Sequence, residues 1–317
     1  MAILPKPLGQ LIDRLFLWSM KRIPRRLHSR FLYLLRMHPE IGDKWNVSIR
    51  KIGWDEPIPD YSCLDSTKTK QARFSQAIDW GIERQQSLFR NLINYHDEIM
   101  DIYKNSEFDF HNAFYPRLDP SIYYSMIRHH KPSRIVEIGS GYSTGIALLA
   151  SAKNKEEGYP VDVTCIEPYP QERLTRLGTD KFTIIEQKVE DIGLDYFSKI
   201  GTGDFLFIDS SHTVKYNGDV NYEILEIMPA LVRGVHVHVH DVWFPYDYPY
   251  DWIFGERRAW AEMYILEAFL AFNSAFKVEL CGNMIANKCP DLVKSLWSDR
   301  IDWESMHKTG VFWMEKV

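Results

Sequence analysis

The chain lacks the features that would mark several common protein classes. It has four cysteines in 317 residues, Cys63, Cys165, Cys281 and Cys289, and none of them form a Cys-x-x-Cys pair. This spacing argues against a disulfide scaffold or a thiolate zinc site and suits a reducing compartment such as the cytoplasm. No apolar run reaches the roughly 18 to 20 residues of a spanning helix. The short run "LFLWSM" leads into "KRIPRR" without the small-residue pattern of a signal-peptide cleavage site. Internal repeats, low-complexity tracts and coiled-coil heptads are also missing, which closes off solenoid and fibrous readings. Lys and Arg number 38 against 43 acids, a formal net charge of -5, and the main part of the chain has no dense basic track. Nucleic acid is therefore not an expected partner.

The average charge hides an asymmetry. From Met1 to Arg36, eight Lys or Arg stand against one acid, Asp13. Leu11, Ile12, Leu15, Phe16, Leu27, Phe31 and Leu34 recur between them at helical spacings. Two readings follow: a basic helix lying peripherally on an anionic membrane, or a helical cap packed on the main domain with a solvated basic face. The rest of residues 1–110 reads as helical and without strands. The connector "NSEFDFHNAFYPRLDPS" contains Tyr115, Arg117 and Asp119 as candidate lid residues. Asp119-Pro120 predicts a helix start, with Asp119 as N-cap and Pro120 in the first turn.

From Arg134 onward the texture changes to strands alternating with helices: "RIVEI", "DVTCIEP", "FTIIEQ", "DFLFIDS", "GVHVHVHDV", "FKVELC" and "TGVFWMEK". Short buried strands joined by crossover helices predict an α/β fold with a mainly parallel sheet. The segment 283–306 reads as irregular, which favours an antiparallel terminal pair. The predicted division is a helical cap or lid over 1–110 and an α/β domain over 111–317.

The stretch "RIVEIGSGYSTGIALLA" carries the first chemical signal. Gly139 permits a sharp turn after the strand, Gly141 allows close backbone approach to a ligand, and Ser143 or Thr144 can cap the next helix. Glu137 stands just before the turn. Glu167 ends the next strand, where a carboxylate can accept from both hydroxyls of a ribose. An acid in the first turn suits a ligand with a cationic amino group and no phosphate, so S-adenosylmethionine (SAM) fits better than NAD.

A second signal lies at the ends of strands four and five. In a parallel sheet, "FLFIDSSH" and "HVHVHDVWFP" bring Asp209, His212, His240 and Asp241 to the same crevice. His236, His238 and His240 share one side of a strand, but residues i and i+4 lie about 13 Å apart and cannot bind one ion. His240 is the one expected in a site, with His236 and His238 in the core. A neutral His212 or His240 can take a proton from a reacting hydroxyl or amine. A divalent ion on Asp209, His240 and Asp241 offers another route. The aromatic loop after the fifth strand, with Trp243, Phe244, Tyr246, Tyr248, Tyr250, Trp252 and Trp260, reads as an acceptor wall or as packing against the amino-terminal helices.

The ordered set "VEIGSGYSTG", "CIEP", "FLFIDSSH" and "HVHVHDVWFPYDYP" resembles the class I SAM-dependent methyltransferases, specifically the methyltransferase-24-like small-molecule branch, over about residues 112–317. The resemblance implies a seven-stranded Rossmann-like sheet whose last strand is inserted antiparallel. It also implies SAM over the strand ends, with Gly139, Ser140 and Gly141 along the methionine portion. Glu137 would orient the amino group through the loop or a water, and Glu167 would hold the ribose. Where many members have an acid that binds the adenine, this chain has Gln187-Lys188-Val189. An ammonium only donates, so Glu190 or the backbone at Val189 would have to replace it. Metal-dependent catechol-type members hold magnesium with an acid after strand four and an acid-amide pair after strand five. Asp209 matches the first, but His240-Asp241 departs from the pair and admits manganese, iron or zinc.

The expected function is methyl transfer to a hydroxyl or amine of a small organic acceptor. Competing readings are a metal-dependent oxidase or hydrolase on the same fold, and a non-catalytic membrane-associated scaffold with a degenerate domain. A homo-oligomer is compatible with the composition.

Overall fold

A computed structural model describes residues 57–296 except Arg117 and Thr179, together with 309–317 and scattered positions from Arg22 to His38. The basic segment 1–36 lies almost entirely outside the described residues. The chain divides into two compact units, Met1–Leu64 and Asp65–Val317, and the sheet lies wholly in the second. No helix among the described residues is long and apolar enough to cross a membrane.

Seven strands form one sheet in the order β3-β2-β1-β4-β5-β7-β6. They are β1 (Arg134–Ile138), β2 (Asp162–Ile166), β3 (Thr183–Ile185), β4 (Phe205–Ile208), β5 (His236–Val239), β6 (Phe276–Cys281) and β7 (Phe312–Lys316). The first five pair in parallel, and β7 runs antiparallel between β5 and β6. The segment expected to be irregular between β6 and β7 contains two short helices, Gly282–Lys288 and Pro290–Lys294, the second with proline at its start.

Alternation along the central strands divides the core in two. Val136, Ile138, Leu206, Ile208, Val237 and Val239 face one layer, with Ile224, Ile227, Met263 and Leu266. Ile135, Phe205, Phe207 and Trp313 face the other, with Phe89, Ile122, Tyr123 and Ile146. Burial of each such side chain contributes roughly 1.5–3 kcal/mol. The second layer is built by α1 (Ile82–Leu92), α2 (His96–Asn105), α3 (Leu118–His130) and α4 (Tyr142–Glu156). Phe89, Leu92 and Ile99 of α1 and α2 are fully buried, so these helices share the sheet's core. In the first layer, α5 (Glu262–Leu270) follows the aromatic loop.

The carboxyl ends of the central strands are joined one residue beyond the regular ladder. Gly139 N–H donates to Ile166, Asp209 N–H to Ile138 and His240 N–H to Ile208, at 3.1, 2.8 and 2.9 Å. These bonds fix where each loop leaves the sheet, and so fix the starting geometry of the site.

Candidate active site

Gly139 has φ +79°, and a Cβ there would lie 1.9 Å from the backbone oxygen of Asp209. The first glycine thus permits the turn and also the close passage of the β1 and β4 loops. The glycine turn continues into α4, where Thr144 Oγ1 accepts from Gly141 N–H at 3.2 Å and donates to Glu137 Oε2 at 2.5 Å. Tyr123 Oη donates to the other Glu137 oxygen at 3.1 Å. Glu137 is fully buried beneath the turn, and burial pushes its carboxyl up to about 7 against the Thr144 and Tyr123 hydroxyls that favour its charge. It therefore acts on the turn through Thr144 and has no surface of its own toward a ligand. A Cβ at Gly141 would meet the Arg173 guanidinium at 3.0 Å, so the open side of that glycine faces Arg173, which stacks over the Tyr142 ring.

Beside the turn lies a cleft of about 440 Å³ lined by Gly139, Glu167, Lys188, Val189, Glu190 and Asp209, among others. That volume falls in the range of small-molecule and cofactor pockets. Glu167 accepts from Ser140 N–H at 3.3 Å and Tyr169 N–H at 2.9 Å, which fixes the carboxylate at the rim. Among the described residues, Ser140 Oγ has no hydrogen-bond partner. A glycine-lined cleft with an anchored acid fits SAM in size and in the acceptor it offers a ribose. Of the residues expected to bind it, Gly139, Glu167, Val189, Glu190 and Asp209 line the cleft, whereas Glu137, Ser140 and Gly141 do not.

Asp209 also belongs to a second cluster. Its Oδ1 lies 3.4 Å from His212 Nε2 and 3.5 Å from His240 Nδ1. Asp241 completes the group, with Oδ2 3.5 Å from His212 Nε2 and Oδ1 3.7 Å from His240 Nδ1. The outward nitrogens of both rings are held more tightly: His212 Nδ1 lies 2.7 Å from Glu262 Oε2, and His240 Nε2 lies 3.0 Å from Asp119 Oδ2. Both imidazoles are pushed well above their ordinary range, because the surrounding carboxylates outweigh burial. Burial opposes the Asp209 charge, but the two facing imidazoles hold that carboxyl well below its usual range, whereas burial pushes Asp241 up. His212 and Asp241 both have φ +57°, a left-handed conformation uncommon for these residues and concentrated at functional sites.

Trp260 packs against the His212 ring at 4.2 Å, and Tyr115 packs against His240 at 4.9 Å. Tyr115 is buried, a wall of the cluster where a lid was expected, and Arg117 lies outside the described residues. Asp119 differs from its expected N-cap role. Helix α3 begins at Leu118, so Asp119 sits within the first turn, where its side chain binds His240. In the aromatic loop, Phe244 and Tyr248 are core residues, with Phe244 against Trp80 at 5.4 Å, while Trp260 reaches the cluster. Glu262 is taken by His212, and Arg258 pairs with Glu256 and lies over Trp252 and Trp260.

The other two histidines of β5 stay outside the site. His238 is fully buried, stacked on Phe207 at 4.4 Å, and both its ring nitrogens are without partners among the described residues. His236 Nδ1 pairs with Glu279 at 2.8 Å near the opposite end of the strand. The residues missed in the sequence are the outer carboxylates. Glu262 carried a weak signal, an acid in the otherwise apolar helix start "AWAEMYILEAF".

A family model described as a methyltransferase domain matches residues 136–242. An uncharacterised protein of Archaeoglobus fulgidus is 36% identical over 91 residues, which is 28% of this chain and 40% of that protein. The match thus spans less than half the length of that relative. Among solved structures, CmcI with Mg and SAM is 16% identical with a TM-score of 0.37, over 69% of this chain and 84% of that one. An O-methyltransferase from Bacillus cereus with S-adenosylhomocysteine (SAH) is 14% identical with a TM-score of 0.34, over 75% of this chain and 98% of that one.

Proposed function

We propose, from the match of residues 136–242 to a methyltransferase domain, that the protein transfers a methyl group from SAM to a hydroxyl of a small organic acceptor. The observation that carries this reading is the double role of Asp209. Its carboxylate lines the cleft beside the glycine turn and also faces His212 and His240 at 3.4 and 3.5 Å. A group bound in the cleft and an acceptor bound at the cluster would therefore meet at Asp209. SAM supplies an electrophilic methyl on a sulfonium, and Gly139, Glu167, Val189 and Glu190 would bind and orient it. Lys188 also lines the cleft, so on this reading Glu190 or the backbone at Val189 meets the adenine edge.

Asp209, His240 and Asp241 would hold a divalent ion, since each offers a ligand atom within 4.8 Å of the others. Such an ion lowers the pKa of a bound hydroxyl and fixes its position. Asp209, which lines the cleft, keeps 31% of its side-chain surface exposed, and Asp241 keeps 17%, so an acceptor would reach the cluster past Asp209. Trp260 would exclude water from the neighbouring face of His212.

A second reading uses His212 as a general base without metal: Glu262, 2.7 Å from its far nitrogen, orients the ring, and because the surrounding carboxylates hold a proton on that ring, turnover on this reading rises toward alkaline pH. Calorimetry with SAM and SAH, followed by SAH release with a panel of hydroxylated acceptors before and after chelation, tests both. SAH formation abolished by chelation and restored by a divalent ion supports the first reading. Chelator-resistant turnover supports the second. Binding of neither SAM nor SAH would remove the cofactor assignment, and turnover without SAH would favour oxidation or hydrolysis. We also propose a peripheral membrane contact through residues 1–36 in a cytoplasmic setting. Equal co-sedimentation with anionic vesicles of chains with and without those residues would refute it.

A further inference from the structure

We propose that His212 is a fourth ligand of this ion, and that the resulting set of two histidines and two carboxylates selects a first-row transition ion, such as zinc, manganese or iron(II), over magnesium. The inference rests on the divalent-ion reading above and concerns which ion is held and by what. His212 Nε2 faces the same Asp209 oxygen as His240 Nδ1 does, and it faces Asp241 through the other oxygen, Oδ2, so that Asp241 would hold the ion through both oxygens. The four contacts measure 3.4, 3.5, 3.5 and 3.7 Å. They are too long for good hydrogen bonds, whereas adjacent ligands sharing one ion at bonds of about 2.1 Å stand about 3.0–3.4 Å apart. An ion would draw the four groups together by a few tenths of an ångström.

The far nitrogens behave differently. His212 with Glu262 and His240 with Asp119 make ordinary hydrogen bonds of 2.7 and 3.0 Å. A carboxylate behind each imidazole fixes the ring and its tautomer, so that the free nitrogen is presented to the centre. This arrangement recurs behind metal-bound histidines. Asp119 and Glu262 are therefore positioning residues, which act on the ion through the rings.

Two imidazoles among the ligands disfavour magnesium, which prefers oxygen donors and retained waters, and suit zinc, manganese or iron.

The test uses the full chain stripped with chelator and reloaded with one equivalent of zinc or manganese in the presence of excess magnesium. Metal content after gel filtration is read by mass spectrometry. The expected result is one transition ion retained per chain, with Glu262→Gln and Asp119→Asn each lowering zinc affinity about 10- to 100-fold. His212→Ala should lose at least as much. Circular dichroism and SAH binding serve as fold controls. Because His212→Ala also removes the packing against Trp260, cobalt(II) on the unmutated chain gives a second readout, and a visible spectrum typical of nitrogen ligation below six-coordination is expected. Magnesium displacing the transition ion, or zinc affinity unchanged in a folded His212→Ala chain, would each overturn the inference while leaving the divalent-ion reading intact, and an octahedral all-oxygen cobalt spectrum would overturn the inference and remove His240 from the ligand set as well. Failure of every divalent ion to bind would overturn both, and SAH binding in the same sample would show that the cofactor reading survives.

Discussion

Glu262 Oε2 lies 2.7 Å from His212 Nδ1 across fifty residues of sequence, and both side chains are buried. The backbone reinforces the link: the N–H groups of Ala261 and Glu262 both donate to the His212 carbonyl, at 3.0 and 3.3 Å. The start of α5 and the loop after β4 are therefore one structural unit. Glu262→Ala should destabilise the metal-free chain by about 1–3 kcal/mol in urea titration, because it leaves a buried imidazole donor unpaired. The same change in a His212→Phe background should cost clearly less.

The two glycines of the turn should respond differently to an added methyl. Gly139→Ala places Cβ against the Asp209 backbone at positive φ and should cost upwards of about 1–3 kcal/mol from the backbone alone, with loss of SAH binding as Asp209 shifts. At Gly141, φ is 164°, an extended value open to any residue, and the obstacle is the end of the flexible Arg173 side chain. Gly141→Ala should therefore lower thermal stability much less.

Glu137 gives a pH dependence of known sign. Its carboxyl titrates near 7 in the fold against an ordinary 4.5, so the neutral form favours folding. That contribution is present in full below about pH 4.5 and is lost as pH rises through 7, a change of about 3 kcal/mol. Relative to Glu137→Gln, the unmutated chain without ligand should lose stability between pH 5 and pH 8. Parallel denaturation midpoints across that range would refute this.

His238 should tolerate replacement by an apolar ring. Burial pushes it well below its ordinary range, so it is neutral, and neither nitrogen has a partner among the described residues. His238→Phe should stabilise the chain by about 1 kcal/mol and leave metal content unchanged. A large loss of bound metal would mean that the β5 histidines act together.

Glu167→Gln should weaken SAH binding by roughly tenfold, about 1.4 kcal/mol, if its carboxylate meets ribose hydroxyls. Part of any loss will come through Ser140, whose N–H donates to the same carboxylate at 3.3 Å. Folding should stay near that of the unmutated chain, because Glu167 is only partly buried.

Several features were legible in the chain itself because they depend on local periodicity. Short apolar, β-branched or aromatic runs in "RIVEI" and "FLFI" mark β1 and β4, and the period of two in "HVHVHD" assigns the faces of β5. Parallel order then brings Asp209 and His240 to one end of the sheet. The glycine after β1 was likewise fixed by a local demand for positive φ.

Tertiary structure alone decided which partners these groups meet. Asp119 has the composition of an N-cap, but packing of α3 against the sheet turns it toward His240. Glu262 looks like a solvated helix-start acid, and it becomes the anchor of His212 because the loop after β4 caps the start of α5. Glu137 occupies the position of a ligand-facing acid, yet the pleat directs it into the layer of α3 and α4, where Tyr123 and Thr144 take both oxygens. Periodicity sets the side of an element on which a residue stands, but a hydrogen bond spanning fifty or more residues depends on how separate elements dock, and no local pattern encodes that distance.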